Sequence, residues 1–478
     1  MKVLLAASEC APYAKVGGLA DVIAALPKEL ARQQIEVDIV LPLYEHLLKE
    51  KLQQQIVDDT GNGNKFVVHF LGKDHTCRLF YLQIPQTPIK LFLIQNDTYL
   101  SNGKIYLSAS AFAEGDEELA RFMFFSKAVY TLMERGVFAY DAIHAHDYHT
   151  SYLLYLIKNE KALGVRPKLV LSIHNIANKG IVLDANLNKE INGWPEPHNL
   201  ISLGIASSDA IVPVSPHYAQ ELSEGKFCYG MENVIRAFSD RFKGIVNGLD
   251  VEVYDPRQDA AIVKKYDENS FKEAKLLAKN ALYKELGLVV KEEEEQFLVG
   301  FVGRIAEQKN IPLMDTSLRT ILKNQRNRGI IRFVFLGVGD KPLEDLLHSL
   351  QSEYPENVIF ANQFDESLAH RFFAASDMFL IPSLFEPCGL TQLIAMRYGA
   401  LPLATKVGGL VDTISENNNR TGFFIREPDP TFVSVQILDL YTLWSNDRET
   451  WDKIVVNGMT RDFSWKESAK KYIEVYGK

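Results

Sequence analysis

Two glycine-rich loops of nearly identical sequence are the first feature that could do chemistry. KVGGLAD occupies residues 15–21 after the apolar run 2–7, and KVGGLVD occupies residues 406–412 after the apolar run 401–404. Glycines between a strand and a helix allow a tight turn and leave helix N–H groups able to bind an anion. Each loop is therefore either a plain strand-to-helix turn or one side of a diphosphate site, with its lysine supplying positive charge. Neither loop has the glycine spacing of a dinucleotide-binding or Walker loop.

Charged residues follow two further apolar runs in the second half of the chain. Arg304 and Lys309 come after the run 296–302, and Glu386 comes after the run 377–382. The two cations are either surface charges in a turn or ligands of a pyrophosphate, which such groups bind by charge-assisted hydrogen bonds. Glu386 is either the partner of a helix N-terminus or an acceptor for sugar hydroxyls.

The segment HAHDYH at 144–149 leaves three interpretations open: a metal site, a structural cluster or a segment that lines the substrate. Its aspartate comes one position too early for the H-x-H-x-D-H pattern of binuclear hydrolases, and no other set of possible ligands supports a metal. We therefore expect no metal. The glutamate run at 292–295 is interpreted as a solvated turn. Because no Asp-x-Asp pair follows a strand, a cation-bound nucleotide is not indicated, and the phosphates of a bound nucleotide would be held by lysine and arginine.

Short apolar runs alternate with helical periods along both halves of the chain, which is typical of parallel α/β sheets. Segments 65–71, 77–84 and 89–94 lack helices between them and are expected to form an inserted antiparallel region. The fold class is therefore α/β with two doubly wound domains, which bind ligands at the carboxyl ends of their strands. Strands are predicted at 2–7, 36–41, 140–144, 168–173 and 209–214, and again at 296–302, 331–336, 357–360, 377–382 and 401–404. Predicted helices include 19–33, 116–135, 148–160 and 198–206, and then 311–326, 341–353, 366–375, 390–399 and 431–443, with Met314, Leu318, Ile321 and Leu322 on one apolar face.

Composition limits the class of protein. A chain of 478 residues is long enough for two domains, and its boundary is expected near the turn-rich stretch 242–256. The charged stretch 264–295 is expected to form solvated helices and loops of the second domain. The net charge of -9 argues against a nucleic-acid partner. Neither a signal peptide nor a membrane helix is expected, and the four widely spaced cysteines are expected to be reduced thiols in the cytosol.

Taken in order, several motifs resemble one known family. SECAPYAKVGGLADV, HAHDYH, SIHNIA, YGMEN, VNGLD, GRIAEQK, EPCGLTQL and GGLVDT are similar to segments of bacterial glycogen synthases and plant or algal starch synthases, the family 5 glycosyltransferases of GT-B fold. The resemblance covers nearly the whole chain. It implies two Rossmann-like domains facing each other across a deep cleft. Residues 1–243 would form the acceptor-side, starch synthase catalytic domain, 244–458 the donor-side domain, and 459–478 a C-terminal helix that crosses back.

The resemblance also implies roles for individual residues. Lys15 would contact the donor phosphate, and Asp21 would shape the catalytic cleft. Arg304 and Lys309 would neutralise the diphosphate, while Glu386 would contact the glucose. His146 would lie beside the anomeric carbon. The nucleotide-sugar site would comprise Lys15, Gly17, Gly18, Asn247, Gly303, Arg304, Lys309, Cys388, Gly389, Leu390, Thr391, Gly408 and Gly409.

The family activity implied is transfer of glucose from ADP-glucose to the non-reducing end of an α-1,4-glucan, with retention of configuration and no cofactor. Partners would be ADP-glucose or ADP and glycogen, starch or malto-oligosaccharides, with association with glucan granules left open. The location would be the cytoplasm, or the plastid stroma for a chain without its transit peptide. Many relatives of the wider fold place a second glutamate eight positions after the first, but this chain has Ile394 there. This favours a same-face displacement, or stabilisation by the backbone, over a double displacement.

Three departures from the family pattern bear on specificity. Asn310 replaces an expected glycine, Asn178-Lys179 replace tyrosine and glutamine, and Glu117 stands where asparagine is common. The last two lie in the first domain, so they concern acceptor preference. The alternatives are another retaining GT-B transferase, such as a sucrose-type synthase or a phosphorylase-like enzyme, and a non-catalytic glucan-binding protein. A dinucleotide oxidoreductase is disfavoured because the spaced-glycine fingerprint is missing.

Overall fold

The computed structural model describes residues 1–48, 57–58, 65–107, 116–160, 163–191, 198–289 and 295–477. The chain divides into two compact units, Met1–Gly248 with Trp465–Lys478, and Leu249–Ser464. These boundaries lie within a few residues of the predicted ones at 243/244 and 458/459. Residues 292–294 of the glutamate run lie outside the described residues.

The first unit is built on a nine-stranded sheet. Its strands run in the order β11-β8-β7-β1-β2-β6-β5-β3, with β4 also paired to β5. All neighbours from β11 to β6 are parallel, whereas β5 is antiparallel to β6, β4 and β3. Its strands are β1 (Lys2–Ala6), β2 (Glu36–Pro42), β3 (Val57–Asp58), β4 (Lys65–Phe70), β5 (Lys73–Gln83), β6 (Lys90–Gln95), β7 (Ala142–His146), β8 (Lys168–Ile173) and β11 (Ala210–Pro213), and the separate antiparallel pair is β9 (Ile181–Val182) and β10 (His198–Asn199).

Helices cover this sheet because its central strands are apolar on both faces, as parallel strands are. They are α1 (Gly18–Arg32), α2 (Glu45–Leu48), α3 (Asp116–Glu134), α4 (Asp147–Asn159), α5 (Ala185–Lys189), α6 (Leu200–Ser207), α7 (Pro216–Ser223), α8 (Glu232–Ala237) and the C-terminal α18 (Lys466–Tyr476), with a 3-10 turn at Ser239–Arg241. Helix α18 belongs to this unit and buries Ala469, Tyr472, Val475 and Tyr476 in its core.

The second unit has a six-stranded, entirely parallel sheet in the order β14-β13-β12-β15-β16-β17. Its strands are β12 (Phe297–Val302), β13 (Ile331–Leu336), β14 (Val358–Ala361), β15 (Met378–Ile381), β16 (Leu401–Ala404) and β17 (Phe423–Phe424). Its helices are α9 (Phe271–Glu285), α10 (Ile311–Lys323), α11 (Gln325–Arg328), α12 (Lys341–Glu353), α13 (Glu366–Ala375), α14 (Thr391–Arg397), α15 (Gly408–Thr413), α16 (Pro430–Asn446) and α17 (Arg448–Thr460), with a 3-10 turn at Glu307–Lys309.

Both sheets have a topological switch point, where the strand order reverses. In the first unit it lies between β1 and β7, and in the second between β12 and β15. Loops that leave the carboxyl ends of such strands diverge and form a crevice, which is where doubly wound folds bind ligands. The loops that follow these four strands therefore locate the candidate site in each unit.

The predicted fold class of two doubly wound parallel α/β domains is confirmed. The apolar face of α10 is also confirmed, because all four of its predicted residues are buried. The prediction for 89–94 was partly wrong: β6 pairs with β5 in antiparallel fashion, but it also joins the parallel sheet beside β2. The stretch 264–295 was predicted as solvated, yet α9 buries one face that includes Lys275 and Lys279. Within the described ranges, no helix is both long and apolar enough to cross a membrane.

Candidate active site

An ion pair lies at the switch point of the second unit. Lys309 Nζ is 2.5 Å from Glu386 Oε2, and the two residues follow β12 and β15 respectively. Lys309 ends the 3-10 turn, and the next residue, Asn310, has a left-handed backbone with φ of 53°. Glycine and asparagine are the residues that adopt this conformation at low cost, which explains how asparagine stands where glycine was expected. The structure thus brings together two of the residues predicted for catalysis.

Two further polar side chains hold this pair in place. Ser383 Oγ donates a hydrogen bond of 2.8 Å to the same oxygen, Glu386 Oε2. Gln308 Nε2 donates to the carbonyl of Phe385 at 2.9 Å, which ties the loop after β15 to the 3-10 turn. Arg304 is exposed, with its guanidinium 3.4 Å from Gln308 Oε1. The arrangement places two cations and one carboxylate at the carboxyl edge of the sheet.

The second glycine loop packs directly on the backbone around Glu386. A Cβ on Gly408, whose φ is +43°, would lie 2.0 Å from the carbonyl oxygen of Glu386, and one on Gly409 would lie 2.3 Å from that of Cys388. The N–H of Gly409 donates to the Glu386 carbonyl at 3.0 Å. The N–H of Gly409 is therefore already used within the chain, which at this residue favours the plain-turn interpretation over an anion site. These glycines are required by close backbone contact.

The remaining predicted residues of this unit line the same turns. Gly389 has a φ of +72°, and a Cβ there would lie 2.5 Å from Gln392 Oε1. Leu390 is the N-cap of α14 and Thr391 is its first residue. The predicted Cys388 is a buried cysteine outside any disulfide, and Gly303 follows β12 directly, its N–H donating to the Leu336 carbonyl.

In the first unit, a buried carboxylate organises the loop after β1. Glu9 Oε2 accepts the N–H groups of Val16 at 2.7 Å and Gly17 at 2.8 Å, and the Tyr106 hydroxyl donates to Glu9 Oε1 at 2.5 Å. Burial raises the pKa of Glu9 despite these hydrogen bonds. The N–H groups of Val16 and Gly17 are thus already bound by a carboxylate of the chain itself.

Lys15 and Asp21 are brought together across this loop. Lys15 Nζ lies 2.8 Å from Asp21 Oδ1, with both side chains partly exposed. Asp21 is in the first turn of α1, Gly17 is the N-cap of that helix, and Gly18 is its first residue. The lysine is therefore oriented by an acidic partner and remains within reach of solvent, as a phosphate ligand must be.

His146, at the end of β7, lies in a buried group of histidines. Its Nδ1 is 3.0 Å from His174 Nε2, and its ring is packed on His144 with centroids 4.2 Å apart. His146 Nε2 is buried and has no hydrogen-bond partner among the described residues. Burial lowers the pKa of His146 well below its usual range and lowers the pKa of His144, His149 and His174 to about 3. The imidazoles are therefore neutral at physiological pH.

Asp147 and Asn247 complete the polar groups of this unit. Asp147 has a left-handed φ of 54°, and its Oδ1 accepts the N–H groups of His174 at 2.7 Å and Asn175 at 3.3 Å. Burial raises the pKa of Asp147 to about 7. Asn247 is buried, and its Oδ1 has no hydrogen-bond partner within the described ranges. No group of three or more metal-binding side chains occurs in the part of the chain that the structure describes.

Sequence reasoning missed the residues that hold the predicted ones in place. Glu9, Gln308, Ser383 and His174 each make side-chain contacts to predicted site residues or loops of their own unit, but none was assigned a role. Glu9 could have been noticed as a charged residue between a buried strand and a glycine loop. The others carry no comparable signal because their partners are distant in sequence or their residue types are common.

Comparison with known proteins identifies the family. Residues 2–237 match the protein-family model described as starch synthase catalytic domain, and residues 288–455 match the model of glycosyl transferases group 1. A glycogen synthase from Mycoplasma mobile is 35% identical over an alignment of 492 positions, which covers 99% of this chain and 99% of that one. The chain belongs to the glycogen and starch synthase family of glycosyltransferases.

Solved structures agree with this family and with its GT-B fold. The catalytic domain of starch synthase IV from Arabidopsis thaliana, bound to ADP and acarbose, superposes with a TM-score of 0.87 at 29% identity, covering 99% of this chain and 98% of that one. A sucrose-phosphate synthase from Thermosynechococcus elongatus has a TM-score of 0.61 at 16% identity, over 99% of this chain and 98% of that one. The second likeness concerns the fold alone. The resemblance read from the motifs is therefore confirmed.

Proposed function

We propose that this member of the glycogen and starch synthase family transfers glucose from ADP-glucose to the non-reducing end of an α-1,4-glucan. The product keeps the α configuration, ADP is released, and no metal or other cofactor takes part. The proposed acceptors are glycogen, starch and malto-oligosaccharides. The proposed location is the cytoplasm, or the plastid stroma if the chain is a mature plastid protein.

The observation that carries this proposal is the Lys309–Glu386 pair with Arg304 beside it, at the carboxyl ends of β12 and β15. Two cations can neutralise a diphosphate, and a carboxylate can accept hydrogen bonds from sugar hydroxyls. One nucleotide sugar would therefore engage all three groups. The Arabidopsis relative was solved with ADP and acarbose, and this supports an adenine nucleotide as the leaving group.

In the proposed step, the bond between the anomeric carbon and the β-phosphate oxygen breaks, and a bond to the acceptor oxygen forms on the same face. The acceptor hydroxyl proton passes to the departing phosphate. Lys309 and Arg304 stabilise the charge that develops on the diphosphate, which is where a preorganised site lowers the barrier most. His146 Nε2, which is buried and without a partner among the described residues, would then meet the sugar.

A double displacement is disfavoured by what surrounds Glu386. Retaining glycosidases use two carboxylates, one of them as a nucleophile. Here Glu386 Oε2 is bound by both Lys309 and Ser383, and the position that carries a second glutamate in many relatives is the buried Ile394. Mass spectrometry of the enzyme quenched during turnover tests this. A covalent glucosyl adduct on Glu386 would refute the same-face displacement.

The activity itself is tested by transfer assays with ADP-glucose and UDP-glucose on glycogen and malto-oligosaccharides. We expect incorporation from ADP-glucose, with an α-anomeric signal in the NMR spectrum of the initial product. Absence of incorporation from both donors would overturn the proposal. Incorporation from UDP-glucose alone would overturn only the proposal that the donor nucleotide carries adenine. Acceptor preference, where Asn178, Lys179 and Glu117 depart from the family, is read from the same assays.

Single substitutions test the assigned groups. Glu386→Ala and Lys309→Ala should each lower kcat/KM at least tenfold, which corresponds to about 1.4 kcal/mol of transition-state stabilisation. The matched control is Lys341→Ala, which removes a lysine from the exposed Lys341–Asp345 pair of the same unit. A near-normal rate for Glu386→Ala or Lys309→Ala would remove its proposed role.

A further inference from the structure

Two tyrosines of the C-terminal helix reach the buried histidines of the first unit. Tyr476, in the last turn of α18, places its hydroxyl 2.8 Å from His144 Nδ1. His144 Nε2 lies 2.8 Å from Ser172 Oγ, and Ser172 Oγ lies 3.2 Å from the Tyr472 hydroxyl. Residues four apart share one helix face, so both hydroxyls reach the same pair of side chains. All of these groups are buried.

The positions of the protons in the hydrogen bonds between Tyr476, His144 and Ser172 are assigned from which atoms can donate and which can accept. Burial raises the pKa of Tyr476 well above its usual range, so its hydroxyl keeps its proton. The structure pairs that hydroxyl with His144 Nδ1 at 2.8 Å, and we assign the hydroxyl as the donor of this hydrogen bond. A neutral imidazole carries one N–H, so with this assignment His144 carries it on Nε2 and donates it to Ser172 Oγ. The hydroxyl of Tyr476 thereby sets both the tautomer and the ring plane of His144.

The ring of His144 in turn supports His146. The two rings pack with centroids 4.2 Å apart at an angle of 33°. Within the described ranges, the His146 ring makes a single hydrogen bond, between its Nδ1 and His174 Nε2. The imidazole turns about its Cβ–Cγ bond, and the hydrogen bond at Nδ1 restricts this rotation within the range that hydrogen-bond geometry tolerates. Packing against the fixed ring of His144 narrows that range further, so the direction of His146 Nε2 depends in part on His144.

We propose that Tyr476 is a positioning residue for glucosyl transfer, acting through His144 to orient the neutral imidazole of His146. This rests on the proposed function, in which His146 meets the donor sugar. Helix α18 would then contribute to the chemistry as well as to the apolar core. The alternative is that Tyr476 only fills space, in which case its hydroxyl is dispensable.

Tyr476→Phe separates these two roles, because it keeps the ring and removes the hydroxyl. We expect kcat to fall at least fivefold with KM for the donor changed by less than twofold, since orientation of a group beside the reacting carbon affects the transition state more than binding. Tyr140→Phe is the matched control. It removes a tyrosine hydroxyl that donates to Asp38 Oδ2 at 2.9 Å in the same unit.

A spectroscopic measurement tests the mechanism without using activity. In histidine-¹⁵N-labelled protein, long-range ¹H–¹⁵N correlation should show the Nε2–H tautomer for His144, assigned by its loss in His144→Gln. Tyr476→Phe should shift the ring signals of both His144 and His146, while Tyr140→Phe should leave them unchanged. If Tyr476→Phe does not fold, Ser172→Ala perturbs the opposite nitrogen of His144 and should shift the same signals.

Unchanged His146 signals together with kcat within twofold of wild type would overturn the positioning role. A wild-type protein without transfer activity would refute the proposed function, but the imidazole signals would still report whether Tyr476 controls His144 and His146. The two failures are therefore distinguishable.

Discussion

Breaking the buried ion pair between Lys279 and Asp377 should destabilise the second unit without altering its chemistry. Lys279 Nζ lies 2.7 Å from Asp377 Oδ2, with side-chain exposures of 2% and 6%. The ammonium also donates to the Gln296 carbonyl, and Asp377 Oδ2 accepts the Leu298 N–H at 2.8 Å. These contacts lie where β12 and β15 begin. They are thus at the opposite end of the strands from Lys309 and Glu386.

The expected magnitude follows from what Lys279→Met leaves behind. Asp377 would stay buried with the Leu298 N–H but without its cation. Removing one partner of a buried pair typically costs about 3–5 kcal/mol, because the remaining charge is not compensated. For a unit of about 200 residues, each kcal/mol shifts the unfolding midpoint by about 2–4 °C, so we expect a loss of roughly 6–20 °C.

The assay is urea and thermal unfolding followed by circular dichroism and by tryptophan fluorescence, since Trp444 and Trp451 lie in the core of this unit. Lys284→Met is the matched control because it makes the same chemical change at an exposed position of the same helix. The double variant Lys279→Met/Asp377→Leu should recover part of the loss, since the pair is then removed as a whole and no carboxylate of Asp377 is left buried without its cation. Transfer activity is measured well below the transition.

Two results would refute this reasoning. A loss below about 1 kcal/mol would mean that the pair behaves like a surface salt bridge. A tenfold fall in kcat/KM for folded Lys279→Met would mean that the amino ends of these strands contribute directly to the site. The expected result is a large loss of stability with kcat/KM within twofold of wild type.

Three further changes test other parts of the structure. Gly408→Ala should lower kcat/KM at least tenfold because its Cβ would displace the Glu386 backbone. The control is Gly287→Ala, which is also at positive φ but whose Cβ would have nothing within 4 Å, so it should cost only modest stability. Equal activities of the two variants would contradict the close-contact role of Gly408. Glu9→Ala should reduce activity more than Glu9→Gln, because glutamine retains an acceptor for the N–H groups of the first glycine loop; the comparison is made in the same transfer assay. The free energy of unfolding should fall on acidification below about pH 6.5, because the four buried histidines bind protons only when unfolded. Asp147 acts in the opposite direction, because its pKa is raised to about 7 and the folded state binds its proton first. The unfolded state therefore binds about three more protons than the folded state, and the raised pKa of Glu9 reduces this excess in part. The free energy of unfolding should thus fall by roughly 3 kcal/mol per pH unit between pH 6 and 5, which urea unfolding across that range measures.

Local patterns in the sequence were enough to predict most strands of both sheets. Buried parallel strands are short, continuous apolar runs, and each run is followed by turn residues, so β1, β7, β12 and β15 could be located with the residues that follow them. Pairing could not be predicted in the same way. Strand β6 was assigned to an antiparallel insertion because no helix precedes it, yet it also extends the parallel sheet beside β2.

Contacts between distant residues explain the rest of what was missed. Lys279 lies in a stretch of high charge that resembles a solvated helix, and its burial depends on Asp377, 98 positions further along the chain. A charged residue at a helical position is normally exposed, so only the tertiary partner reveals the exception. The same holds for Tyr476, whose partner His144 is 332 positions away.

The two glycine loops show how far similarity of sequence implies similarity of role. Both are KVGGL segments between a strand and a helix, and symmetry suggested that both would present N–H groups to one diphosphate. In the first loop those groups at Val16 and Gly17 are bound by the carboxylate of Glu9. In the second, the glycines permit backbone contact with Glu386 and Cys388. Each loop therefore holds neighbouring groups of its own unit in place, and in the proposed function the cations assigned to the diphosphate are lysine and arginine side chains.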